Sequence, residues 1–91
     1  MAIRITQVYS PESSDVQLRI EGSMNSTDAD LCAHICRGVL EKAVGRVIIQ
    51  LENLVFLNQQ GADILCWMKR QPNVKLEGCG PFTNHMLELC G

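Results

Sequence analysis

Aromatic side chains are scarce in this chain: two Phe, one Tyr and one Trp, 4% of 91 residues. Its core must therefore be aliphatic, and any aromatic left at the surface draws notice. Charge of one sign is lacking too. Eight Lys and Arg stand against ten Asp and Glu, a formal net charge of −2. No basic stripe selects nucleic acid or an anionic membrane surface. No apolar run approaches the roughly 18 residues of a spanning helix. The start, Met1-Ala2-Ile3-Arg4-Ile5-Thr6, lacks a basic segment followed by an apolar block, so no secretory signal is expected. The five cysteines are odd in number and lack CxxC spacing. That argues against a disulfide framework, a zinc site or a redox pair, and fits a reducing cytosol. A phosphate-cradling loop is missing as well, since Gly78-Cys79-Gly80 is too short and too generic.

What is present suits one small α/β domain, 1–91. Ile3, Ile5 and Val8, with Arg4 and Thr6 between, give a half-buried strand. Val16, Leu18 and Ile20 alternate with Gln17, Arg19 and Glu21 and give a second. The turn chemistry of Ser10-Pro11-Glu12-Ser13-Ser14-Asp15 joins them as an antiparallel pair. A connector, Gly22 to Thr27, leads to a helix capped by Ser26 or Thr27, with Asp28 and Asp30 in its first turn. Leu31, Cys32, Ile35, Cys36, Val39, Leu40 and Ala43 form its apolar stripe, and Gly45 is expected to end it. Val47 to Leu51 reads as a central strand, and Leu54 to Leu57 follows a polar break at Glu52-Asn53. A second helix is expected over about Gly61 to Arg70, facing the sheet with Ile64, Leu65 and Met68, and Pro72 stops it. A short strand at Val74 and Leu76 and a helix from Pro81, with Phe82, Met86, Leu87 and Leu89 as its apolar residues, close the chain. Right-handed βα units of this order give a four-stranded, mostly parallel sheet with an antiparallel edge strand and about three packed helices.

The turn Asn58-Gln59-Gln60-Gly61 stands between an apolar strand and a helix N-terminus. Such a place exposes backbone amides and the positive end of a helix dipole. Here it carries no hydroxyl, thiol, histidine or carboxylate.

The segment from Val47 to Gly61, read with this turn, resembles the motif of the STAS domain (sulfate transporter and anti-sigma factor antagonist). That motif is a V-V-L-D-L strand, then V-x-F-[IL]-D-S-S-G and a helix. Leu18-Arg19-Ile20-Glu21-Gly22 is similar to the family's strand ending in Gly, and Val74 to Pro81 to its last strand and turn. The resemblance covers about Val16 to Leu89. It implies a non-catalytic binding module without a cofactor or bound metal. Its partner would be an anti-sigma-type kinase or another regulator, released when a Ser or Thr of the D-S-S-G turn is phosphorylated. A second implied role is a small cytoplasmic subunit of a lipid-transport ATP-binding cassette system, docked on its ATPase. This chain departs from the pattern where the switch would be. Asn58 replaces the turn aspartate, Gln59 and Gln60 replace the hydroxyl residues, and Gln50 replaces the strand aspartate. Glutamine cannot accept phosphate, so binding without this switch is expected, unless Ser23, Ser26 or Thr27 takes it over.

The expected contact surface is Met24, Asn25, Ser26, Thr27, Asn58, Gln59, Gln60, Gly61 and the exposed side of the following helix with Asp63 and Trp67. Asp63 is either a fixed charge where relatives gain a switchable one or a residue tuned to the helix dipole. Trp67 is either core or an aromatic anchor. Cys32 and Cys36 could reach one ion from i and i+4, but His34 points elsewhere, and both thiols lie on the apolar stripe as small hydrophobes do. His85 has no Ser or Cys beside it in sequence, so no catalytic dyad is read there.

Overall fold

A computed structural model describes residues 3–12 and 14–88, with only the backbone of Ser26. The elements are β1 (Ile3–Ser10), β2 (Asp15–Met24), α1 (Ser26–Lys42), β3 (Val47–Gln50), β4 (Leu54–Leu57), α2 (Gln59–Lys69), β5 (Val74–Glu77) and α3 (Pro81–Glu88). β1 and β2 form the expected antiparallel hairpin, with Ile5 opposite Ile20. β3 runs parallel to β2 and β5 parallel to β3, so the sheet order is β1-β2-β3-β5. α1 packs on α2 and α2 on α3, which makes one helical layer over the sheet. Period two sets the core: Leu18, Ile20, Val47 and Ile49 are fully buried, while the intervening Arg19 is exposed.

The sheet has five strands where four were expected. Leu54–Leu57 leaves β3 after a turn closed by Leu54 N–H donating to the Leu51 carbonyl at 3.2 Å. It then pairs parallel with the end of β2, Leu57 opposite Met24. The register shifts between Gly22 and Ser23. A shift of this kind breaks strict alternation, and β4 accordingly buries Leu54 and Leu57 and exposes Val55 and Phe56. β2 thus extends through Met24, which is a fully buried strand residue and not part of a surface connector.

The helix boundaries also differ in detail. Asn25, not Ser26 or Thr27, caps α1. Its Oδ1 accepts from Asp28 N–H at 3.1 Å, and Asp28 Oδ2 accepts from Asn25 N–H at 3.3 Å, a reciprocal capping box. Leu31 falls off the buried stripe of Ala29, Cys32, Cys36 and Val39 and is 45% exposed. α1 ends at Ala43. Gly45 instead lets the chain pass the hairpin, since a Cβ there would stand 2.6 Å from the Ser14 carbonyl oxygen. α3 buries Thr83 and Leu87 but exposes Phe82, which stacks on Phe56 with ring centroids 5.7 Å apart. Leu89 lies outside the described residues. Cys66 is disulfide-bonded, whereas Cys32, Cys36 and Cys79 are free thiols. A bridge depends on which residues the fold brings together, and sequence spacing does not show that. Among the described residues, no helix is long and apolar enough to cross a membrane.

Candidate partner-binding site

Two helix N-termini emerge side by side because β2 and β4 are parallel neighbours. α1 starts one residue after β2, and α2 starts one residue after β4. The Asn58 N–H donates to the Met24 carbonyl at 3.1 Å and joins the two exits. Asn58 is the N-cap of α2: its Oδ1 accepts from Gly61 N–H at 2.9 Å. Gln59 and Gln60 are therefore the first two helical residues, not loop residues, and both side chains are exposed. Asn25 and Thr27 are exposed at the neighbouring helix start.

The two glutamines are oriented. Gln60 Nε2 donates across the helix pair to Asp30 Oδ1 at 3.3 Å, and Gln59 Nε2 donates along α2 to Asp63 Oδ1 at 2.9 Å. Because α2 starts at Gln59 and not at Gly61, Asp63 is its fifth residue and lies past the first turn, in which it was expected to sit. Its carboxylate accepts from Gln59. Gln59, Asp63 and Trp67 recur at four-residue steps and form one ridge on α2. Trp67 is 40% exposed. With Asp63 and Ile64 it meets Ala33 and Arg37 of α1 around a shallow hollow of about 210 Å³.

Met24 and Gly61 belong beneath this surface and not on it, for both are buried. A Cβ on Gly61 would stand 2.6 Å from Met24 Sδ, so the absence of a side chain lets α2 approach the end of β2. Sequence reasoning missed Asp30 as the anchor of Gln60, and Ala33 and Arg37 as the α1 wall of the hollow. All three sit at three- and four-residue steps on the polar flank of α1, a signal that becomes specific only once α2 is placed beside it. The exposed Phe56–Phe82 stack was also missed, because both residues read as core.

The thiol pair is part of the interior. Cys32 and Cys36 are fully buried with sulfurs 3.9 Å apart. The Cys36 thiol is pushed far above the usual thiol range by its hydrogen bond with Cys32 and then by burial. His34 is exposed on another flank, facing β1 across a groove that also holds Tyr9 and Lys42. His85 is exposed on α3.

The backbone is similar to the crystal structure of an antisigma-factor antagonist STAS domain from Rhodobacter sphaeroides, with a TM-score of 0.67 over 85% of this chain and 87% of that one. It is similar also to the anti-sigma factor antagonist SpoIIAA in its unphosphorylated form, with a TM-score of 0.69 over 97% of this chain and 83% of that one. This protein has the STAS fold. Sequence identity is 17% in both cases, so the likeness is one of fold. No protein-family model and no curated protein sequence matches the chain. Within the STAS fold, the turn read from the sequence stands at the start of α2, with glutamines at its first two helical positions.

Proposed function

We propose that this chain is a non-catalytic, protein-binding regulatory module that engages its partner without phosphorylation at the Asn58–Gly61 turn. The observation that carries this reading is the exposed ridge Gln59–Asp63–Trp67, which starts at that turn in a STAS fold. The two structures compared above are of anti-sigma factor antagonists, which favours a regulatory partner such as an anti-sigma-type kinase. Asn25, Thr27, Asn58, Gln59 and Gln60 supply polar contacts at the paired helix starts. Asp63 supplies a permanent charge on the ridge, and Trp67 supplies the aromatic anchor that protein interfaces favour. Gln59 and Gln60 offer amide donors and acceptors at a site that cannot take phosphate.

The test pairs the chain with an anti-sigma-type kinase, with and without ATP, and measures affinity and mass together. The reading expects affinity that ATP leaves unchanged, no mass increase on residues 58–61, and a loss of roughly tenfold or more for Trp67→Ala. Phosphate on Ser23, Ser26 or Thr27 with release of the partner would overturn the switch-free reading. Unchanged affinity in Asp63→Asn would remove the fixed-charge role. Stable association with an ATP-binding cassette ATPase, and none with the kinase, would transfer the module to transport.

A further inference from the structure

The two edges of the sheet are built differently. β5 is a four-residue edge, and its outward side chains, Lys75 and Glu77, are paired at 3.5 Å. Shortness and charge are the usual means by which an edge avoids further pairing. β1 has neither. It is eight residues long, Ile-Arg-Ile-Thr-Gln-Val-Tyr-Ser, with no proline and Arg4 as its one charge. Among the described residues no strand pairs with its outer side. About half of its N–H and C=O groups point there. Its burial is also lopsided: Ile3 is 6% exposed, but Val8 is 50% and Tyr9 63% exposed.

The geometry points to a second copy of this chain pairing antiparallel along β1, about a two-fold axis through Thr6. This uses a different face from the proposed partner surface. In that register Ile3 stands opposite the second copy's Tyr9, and Ile5 opposite its Gln7, on the helix side. Arg4 stands opposite Val8 and Thr6 opposite Thr6 on the other side. The exposed half of each strand lies along the buried half of the other. Aromatic–aliphatic and Thr–Thr pairs of this kind favour strand pairing. Charge agrees with the register, because the two Arg4 residues are four positions apart, about 14 Å along the strands, beyond the screening length of about 8 Å at physiological salt. There is room on the helix side, where a groove of about 240 Å³ separates Gln7 and Tyr9 from the flank of α1. A strip about 27 Å long and about 10 Å tall covers about 270 Å² per copy, about 540 Å² in all, which is below the size of a stable interface and leaves the association to the ladder hydrogen bonds and cross-strand pairs. The dimer is therefore weak and concentration-dependent.

Sedimentation of the whole chain from micromolar to millimolar concentration tests this. A reversible monomer–dimer equilibrium is expected. Val8→Lys sets an ammonium against the second copy's Arg4 at both ends and weakens the dimer by about tenfold. Val8→Glu sets a carboxylate against the same guanidinium and tightens it. Val8 is exposed, so thermal melts of both variants at low concentration should match that of the parent and separate pairing from folding. A chain that stays monomeric throughout overturns the proposal and leaves the edge to an extended segment of another protein. Equal weakening by Lys and Glu, or no effect of either, overturns it as well.

Discussion

At the residue scale, two glycines of similar appearance do opposite things. Gly61 sits where a Cβ would meet the buried Met24 sulfur, and Gly38 sits where a Cβ meets nothing within 4 Å. Gly61→Ala should cost about 1–3 kcal/mol through overpacking. Gly38→Ala should gain about 0.5–1 kcal/mol by restricting the unfolded chain and favouring helix. Urea unfolding of the two variants checks both signs. The free thiols differ in a similar way. Cys32 and Cys36 are closed off by the core, whereas Cys79 is only half-buried and has its thiol pushed above the ordinary range by burial, against a smaller opposing pull from the Lys69 charge. A raised value means less thiolate at neutral pH. Cys79 should therefore alkylate more slowly than a peptide thiol at neutral pH, and its rate should keep climbing with pH after that of a peptide thiol has levelled off. Cys32 and Cys36 should stay unlabelled until the protein unfolds. Mass analysis of labelled peptides distinguishes the three.

At the element scale, the caps hold the candidate site in shape. Asn58→Ala removes the acceptor for Gly61 N–H and should cost about 1 kcal/mol in denaturant unfolding. It should also lower partner affinity, since the first turn of α2 carries Gln59 and Gln60. Most elements were legible in the sequence. β1, β2, β3 and β5 show the alternation or β-branched richness that a strand demands, and Pro72 and Pro81 mark a stop and a start. The misses have physical causes. β4 reads as a continuation of β3 because the register shift that sends it to β2 lies in β2, more than thirty residues upstream in sequence. The cap of α1 was expected at Ser26 or Thr27 because hydroxyl side chains cap well, whereas Asn25, with Asp28 three residues on, takes the position. Only the full length of β2 selects Asn25. Leu31, Phe56 and Phe82 were assigned inward on hydrophobicity alone, a rule that holds in one direction only.

At the scale of the whole molecule, the turn and the ridge were legible as separate residues but not as one surface. Gln59, Gln60, Asp63 and Trp67 came from one local stretch. Their neighbours on α1 come from a segment some thirty residues away, placed by the parallel pairing of β2 with β4. The join at Asn58 N–H and the Met24 carbonyl also has an electrical consequence. It sets two helix N-termini on one face, each worth about half a positive charge. Asp28, Asp30 and Asp63 answer those charges and that of Arg37. The three carboxylates outweigh Arg37 and the two half-charges by only about one unit, so the face is weakly negative and richly polar, with too little charge for strong steering. A partner should meet it by plain diffusion, with an association rate that changes little between low and physiological salt, as stopped-flow measurements would show. Such a surface selects its partner by how long the complex lasts, not by how fast it forms.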